Sequence, residues 1–384
     1  MDVKQQDKTY VAPTYGRADV TFTRGKGSLL WDDNGKEYID FCTGIAVNGL
    51  GIAEENWLSA VTAQLNALPH ASNLYHTAPQ AELAELLVTK TGMKNVFFAN
   101  SGAEANECAI KCARKYSFDK YGKGRHKIVT LVNSFHGRTL ATITATGQDV
   151  FHKFFDPFVD GFAYATAGDY DAFVKESENA AAVMFELVQG EGGVMALDPD
   201  YVKKVVDYCH ENDILVVCDE VQTGNGRTGA LYAFQRYGFT PDIFTTAKGL
   251  GNGLPIGACV MGDKTAATLV AGTHGSTFGG NPVCAAGAVA VLKQIDQNIL
   301  DGVLARETMI RNALSKCPKV KSVSGLGLML GIEVDGEAKD VVNECRNRGL
   351  IVLTAKTKVR LLPALNIPLD QLNKGLQILT EVLS

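Results

Sequence analysis

The apolar run Ile214-Leu215-Val216-Val217-Cys218 ends on two adjacent carboxylates, Asp219 and Glu220, followed by Val221-Gln222-Thr223-Gly224. A run this apolar belongs inside a fold, where a charge is costly unless a cation or an N–H donor satisfies it. One of the two acids therefore needs a partner. Twenty-nine positions after Asp219, behind a second apolar run (Ile243–Thr246), stands Lys248 in Ala247-Lys248-Gly249-Leu250-Gly251-Asn252-Gly253. It is either a surface lysine or an amine set up for Schiff-base chemistry, its pKa lowered by burial and neighbouring positive charge.

Other runs also end on groups that can do chemistry. After Val96–Ala99 the chain reads Asn100-Ser101-Gly102-Ala103-Glu104, where a hydroxyl, free N–H groups and a helix dipole suit a phosphate. An ordinary N-capped helix explains the same residues. After Ile128–Val132 come Ser134-Phe135-His136-Gly137-Arg138-Thr139, with an aromatic plate and a guanidinium able to clamp a carboxylate, or simply a loop. Ala181–Leu187 runs into Gln189-Gly190-Glu191-Gly192-Gly193, and Gly275-Ser276-Thr277-Phe278-Gly279 offers a second hydroxyl-rich loop. Each feature alone has a dull explanation. Together, one buried carboxylate, one lysine, one aromatic plate and two anion loops are what pyridoxal phosphate needs. The lysine takes its aldehyde carbon and the carboxylate keeps its ring nitrogen protonated.

These residues fall where strands of a doubly wound layer would end, since ligands in open α/β sheets bind outside the carboxyl ends of the strands. Val96–Ala99, Ile128–Val132, Ala181–Leu187, Ile214–Cys218, Ile243–Thr246 and Gly257–Met261 are continuous apolar runs, the pattern of a mostly parallel sheet covered on both faces. Helical patterns (Glu104–Tyr116, Pro199–Asn212) alternate with them. The ends read differently. Val20–Phe22, Ser28–Trp31 and Tyr38–Phe41 form a meander turning at Gly25–Gly27 and Asp32–Gly35. From about Gly325 come a strand, a helix over Ala338–Arg348 stopped by Gly349, two short strands and a last helix. The expected architecture is α/β, with a large domain at 46–290 and a smaller α+β domain built from 1–45 and 291–384.

Composition limits the function classes. The 384 residues carry a net charge of −5, with 46% hydrophobic and 21% charged residues, so neither disorder nor attraction to nucleic acid or an anionic membrane is expected. The longest apolar stretch, Val283–Leu292, has ten residues against the roughly 20 that span a bilayer. Met1–Asp7 lacks an apolar signal core, and nine cysteines inside apolar segments suit free thiols in a reducing compartment. A cytoplasmic enzyme is the expectation.

The chain resembles the class III pyridoxal-phosphate aminotransferases of fold type I, through Gly27–Asp40, Thr43–Asn48, Asn73–Leu87, the motifs above and Arg360-Leu361-Leu362-Pro363-Ala364-Leu365. Within that family the likeness is to the branch acting on N2-acetyl-L-ornithine, with 2-oxoglutarate and glutamate as the other substrate pair. The resemblance implies that Lys248 is the cofactor-bearing lysine and the acid/base, and that Asp219 pairs with the ring nitrogen. It also implies that Gln222 bonds the ring hydroxyl, that Phe135 and Val221 sandwich the ring, and that Ser101, Gly102 and Ala103 contact the phosphate. Thr277 and Ser276 would serve the neighbouring subunit's cofactor and substrate, which makes a homodimer the expected assembly. Arg138 would hold the far carboxylate of either substrate and Arg360 the α-carboxylate of glutamate. Glu191 would pair with Arg360 when that cation needs masking. The chain departs from the family at Gly51-Ile52-Ala53-Glu54-Glu55-Asn56-Trp57, where a Gly-His-x-His-Pro-like stretch is usual.

Two rival readings fare worse. A nicotinamide dehydrogenase is prompted by Gly249–Gly253 and Gly190–Gly193, but neither has Gly-x-Gly-x-x-Gly spacing opening a helix. A catalytically silent relative would lack Lys248 or Asp219, and both are present. No metal site is expected, because the seven histidines are scattered and no His-Glu-x-x-His or Cys-x-x-Cys pattern occurs. Cys108 and Cys112 read as core packing, and His136 as a hydrogen-bonded loop histidine.

Overall fold

The computed structural model describes residues 2–384. Three strands open the chain: β1 (Phe22–Lys26), β2 (Leu29–Asp32) and β3 (Glu37–Asp40). The central strands are β4 (Asn95–Ala99), β5 (Lys127–Leu131), β6 (Phe162–Ala165) and β7 (Ala180–Phe185). A short hairpin of β8 (Val188–Gln189) and β9 (Met195–Ala196) precedes β10 (Leu215–Asp219), β11 (Ile243–Thr246) and β12 (Gly257–Met261). The last are β13 (Val320–Leu326), β14 (Met329–Val334), β15 (Leu350–Ile351), β16 (Leu353–Ala355) and β17 (Lys358–Leu361).

Seven strands form the central sheet in the order β4-β12-β11-β10-β7-β5-β6. All neighbours are parallel except β12, which runs antiparallel to both β11 and β4. Every residue of β7 and β10 is buried, because helices cover both faces and no alternation with polar residues is required. The six apolar runs read from the sequence are strands of this sheet. The seventh, β6, is a half-buried edge strand whose pattern is too mixed to stand out.

The flanking helices have visible local causes. Ser101 caps the helix Gly102–Tyr121 by accepting from Glu104 N–H at 3.2 Å, and Gly122 ends it at positive φ (76°). Asp198 caps Pro199–Glu211, whose buried stripe is Tyr201, Val202, Val205, Val206 and Cys209, the spacing of one helix face.

Both chain ends meet in a second sheet, β1-β2-β3-β15, in which β15 pairs parallel with β3 (Leu350 opposite Ile39). A third sheet, β13-β14-β17-β16, carries Arg360 on β17. Two differences from the sequence reading have physical reasons. The first strand occupies Phe22–Lys26, not Val20–Phe22, and the turn narrows to Gly27 at φ 58°. Gly25 is a strand residue that lies under Ile52, where an added Cβ would stand 2.7 Å from Ile52 Cδ1. The strand β13 was not anticipated, because its exposed edge position tolerates Lys321, Ser322 and Ser324. All nine cysteines are free, Cys42 half-buried and the others buried. Among the described residues no helix is long and apolar enough to cross a membrane.

Candidate active site

Asp219 is the last residue of β10, at the carboxyl edge of the central sheet, and is buried. Its Oδ2 accepts from Asn106 Nδ2 at 2.8 Å and is 2.8 Å from His136 Nδ1, while Oδ1 accepts from Val221 N–H at 3.0 Å. Asn106 projects from the second turn of the helix Gly102–Tyr121. It also donates to the His136 carbonyl (2.7 Å) and accepts from Thr245 Oγ1 on β11 (2.6 Å). Burial pulls the His136 pKa down, but the hydrogen bond and charge of Asp219, with Glu186 beyond, outweigh it and leave the pKa raised.

The adjacent acid looks the other way, as the two-residue period of a strand requires. Glu220 Oε1 accepts from Phe234 N–H (2.9 Å) and Oε2 from Thr223 Oγ1 (2.5 Å). Burial pushes its carboxyl up to about 7, only partly opposed by those hydrogen bonds. Asp219 therefore belongs to the site and Glu220 to the packing behind it.

Lys248 follows β11 in a 3₁₀ turn with φ 45°, a left-handed conformation that a lysine keeps only when its surroundings hold it. Several groups do so. Asn225 Nδ2 bonds Thr246 Oγ1 (3.0 Å) and the Ala247 carbonyl (3.2 Å), and Gly251 N–H bonds the Lys248 carbonyl (3.0 Å). Trp57 Nε1, from the segment that departs from the family pattern, donates to the Gly251 carbonyl at 3.0 Å. The Lys248 amine itself makes no hydrogen bond among the described residues. Burial lowers its pKa; the charges of Glu191, Asp219 and Glu186 oppose that, and Arg360 adds to it. Those four side chains are the charged groups that act on this amine.

The β8–β9 hairpin presents Glu191, whose Oε1 lies 2.7 Å from Arg360 Nη1. Arg360 is 2% exposed, also donates to Gln222 Oε1 at 3.2 Å, and leaves its Nε without a partner. Gly190 lies against Gln222, where a Cβ would stand 2.7 Å from the amide. Gly102 lies against Val221, where a Cβ would stand 2.6 Å from Cγ1. Gly102 and Ala103 open their helix, so their N–H groups have no partner within it.

Phe135 is half-buried, held by its N–H on Glu186 Oε2 (2.9 Å), with its ring edge-to-face on Phe151 (5.5 Å between centroids). Arg138 is exposed, makes no ion pair or hydrogen bond among the described residues, and rests on the Phe151 ring at 4.3 Å. Ser276 Oγ accepts from Gly279 N–H (2.9 Å) and Asn100 Nδ2 (3.3 Å). Thr277 is exposed and without a hydrogen-bond partner among the described residues. The structure therefore gathers Asp219, Lys248, Glu191, Arg360, Gln222, Val221, Gly102 and Phe135 in one region. It leaves Arg138 and Thr277 at the rim.

Asn106 and Glu186 were missed from the sequence. Their signal was there: Asn106 is a polar residue beside the buried Ala105, Cys108, Ala109 and Ile110 of its helix, and Glu186 stands in the apolar buried run Ala181–Leu187. His136 is hydrogen-bonded as expected, but to Asp219.

The family described as Aminotransferase class-III matches residues 10–383 of this chain. Acetylornithine aminotransferase of Haemophilus ducreyi is 52% identical, covering 100% of this chain and 98% of the relative. That of Caldanaerobacter subterraneus is 44% identical, covering 98% of each. Among solved structures, the ornithine aminotransferase of Toxoplasma gondii ME49 matches with a TM-score of 0.95 at 30% identity over 99% of this chain and 94% of that one. The N-acetylornithine aminotransferase of Stenotrophomonas maltophilia K279a matches at 0.85 and 34% identity, covering 98% and 97%.

Proposed function

Because the chain belongs to the aminotransferase class-III family, we propose that it moves the terminal amino group of N2-acetyl-L-ornithine to 2-oxoglutarate. The products are N-acetyl-L-glutamate 5-semialdehyde and L-glutamate, a step of arginine biosynthesis. The cofactor is pyridoxal phosphate, and the residues present suit it. Among the described residues the Lys248 amine is unpartnered and Asp219 Oδ1 accepts only one N–H, so it keeps acceptor capacity, and the glycines at 102 and 190 let Val221 and Gln222 keep their places, which a Cβ would crowd. Lys248 would hold its aldehyde carbon, Asp219 its ring nitrogen, Gln222 its ring hydroxyl, and Phe135 with Val221 its two faces. Ser101, Gly102 and Ala103 would hold its phosphate, with Thr277 of a second subunit. When bound, pyridoxal phosphate supplies a carbonyl carbon that accepts the amino group and a ring that withdraws electrons from the reacting carbon.

The chain's own groups do the rest. Lys248 Nζ, its pKa lowered chiefly by burial, takes up and returns the proton at the substrate carbon that bears nitrogen. Asp219 stays a hydrogen-bonded acceptor through Asn106 and His136. Arg138, with its fork of donors unpaired, would grip the carboxylate far from the reacting carbon. Arg360 would take the α-carboxylate of glutamate. Glu191 neutralises Arg360 for the other donor, whose reacting carbon carries no carboxylate, and the pair at 2.7 Å is the arrangement suited to that donor.

The observation that carries this reading is the unpartnered Lys248 amine among Asp219, Glu191 and Arg360. Steady-state comparison of acetylornithine, ornithine, 4-aminobutyrate, N-succinylornithine and N-succinyl-diaminopimelate with 2-oxoglutarate tests it. The highest kcat/KM is expected for acetylornithine. Ornithine is the second reading, supported by the backbone likeness to an ornithine aminotransferase, and a clear preference for it would replace the substrate while leaving the reaction type.

The assembly belongs to the same proposal. A homodimer would cover Thr277 and the neighbouring exposed apolar residues Phe278, Leu74 and Tyr75. Light scattering at about twice the chain mass is the expected result. Nine free thiols suit a cytoplasmic enzyme.

A further inference from the structure

Glu186 is a buried acid without a cation partner. It lies one residue beyond β7, 6% exposed, and makes no ion pair among the described residues. A carboxylate in that position is costly unless donors satisfy it. Its donors come from two different loops. Oε2 accepts from Phe135 N–H at 2.9 Å, and Oε1 from Gly190 N–H at 3.4 Å. The first loop carries the aromatic plate, and the second leads into Glu191.

The loops touch elsewhere as well. Gln189 Nε2 donates to the Val132 carbonyl at 2.9 Å, and a Cβ on Gly192 would stand 2.5 Å from the Asn133 carbonyl oxygen. Among the described residues only the Glu186 carboxylate ties a backbone N–H of each to one rigid group. Its place is at the carboxyl end of a strand buried throughout, so it has no freedom to follow either loop.

We infer that Glu186 is a positioning residue that couples the Phe135 loop to the Glu191 loop, so that the state of the Glu191–Arg360 pair is set together with the seat of the Phe135 ring. The functional half of this inference rests on the roles proposed above for Phe135 and Glu191; the coupling of the loops does not. Charged groups that act on Glu186 come from three sides: His136 in the Phe135 loop, Asp219 at the end of β10, and Lys248 after β11. Burial pushes the Glu186 carboxyl up to about 7, with His136 opposing and Asp219 adding. Protonation converts one acceptor oxygen into a hydroxyl donor, which can no longer accept from its loop.

Hydrogen exchange of Glu186→Gln and the unaltered holoenzyme, read in peptides covering 132–138 and 188–193, tests the coupling. The glutamine keeps one acceptor oxygen and turns an NH2 toward the other N–H. Exchange about tenfold faster in both peptides is expected, a loss of protection of the size of one hydrogen bond. Faster exchange in one peptide alone, or in neither, overturns the coupling. Should the variant not fold, the unaltered protein answers the same question. After correction for intrinsic exchange, both peptides should lose protection together between about pH 8 and about pH 6, and a change in one alone overturns it.

The functional half is read from the ratio of kcat/KM for acetylornithine to that for glutamate. Glu186→Gln should shift this ratio several-fold and remove its dependence on pH near neutrality, as a purely structural role would not. An unchanged ratio in Glu186→Gln beside a changed one in Glu191→Ala overturns the functional half. Should Glu191→Ala leave the ratio unchanged too, the role proposed for Glu191 is at fault, and exchange still decides the coupling.

Discussion

The floor of the site and its rim are finished to different degrees by this one chain. At the floor, Asp219 is gripped by Asn106, His136 and the Val221 N–H, and Asn106 is gripped in turn by Thr245. At the rim, Arg138 has only the Phe151 and Phe135 rings beneath it among the described residues, at 4.3 and 5.5 Å, and Thr277 has no hydrogen-bond partner among them. Buried polar groups must find partners within the fold, whereas exposed ones can wait for a ligand or a second subunit. The floor is preorganised chemistry; the rim is recognition left open.

Substitutions at the floor should therefore remove activity, and those at the rim should redistribute it. Lys248→Ala should cost about 10⁴-fold or more in kcat, because it removes both the amine and the proton carrier. The same protein should lose the absorbance band that borohydride bleaches. If activity survived, the contrast would be wrong at its centre. Asp219→Asn should cost about 10²–10³-fold in kcat. It should also lower the His136 pKa, which Asp219 now holds up, and NMR titration of that imidazole reads the shift.

At the rim, Arg138→Lys should raise KM about tenfold for both substrates with little change in kcat, since a single ammonium replaces a planar fork. A fall in kcat of the same size would move Arg138 to the floor. Thr277→Ala should weaken cofactor retention by about tenfold, the lower end of the worth of one hydrogen bond to an anion, measured by fluorescence titration at a concentration that keeps the dimer. The smallest effect on turnover belongs to Glu220, which is buried yet outside the site. Between its ordinary value of 4.5 and about 7, the unfolded chain has lost the Glu220 proton while the folded chain holds it. Stability therefore falls as pH rises through that window, by up to about 1.4 kcal/mol per unit. Glu220→Gln keeps an acceptor for Phe234 N–H, so it should leave turnover nearly unchanged and make Tm fall less between about pH 5 and about pH 8.

How much could be read in advance follows burial. The six apolar runs stood out because strands covered on both faces must be apolar throughout. The edge strands β6 and β13 did not, and β1 was read with shifted bounds, since one side of each meets solvent or a partly covered surface. The chemistry was legible wherever a polar residue followed a run, as at Asp219, Lys248 and Phe135. Glu186 was hidden because it looked like part of its run, and Trp57 because its target, the Gly251 carbonyl, lies 194 positions away.

From its residue order alone the chain declared its buried central strands and which side chains stand at their ends, because local burial and backbone preference act over a few neighbouring residues. Only the tertiary structure decided that Asp219, not Glu220, meets Asn106 across 113 residues, and it closes the expected pair of Glu191 and Arg360 across 169. Those choices depend on which faces pack together, and packing brings together residues that no local pattern relates.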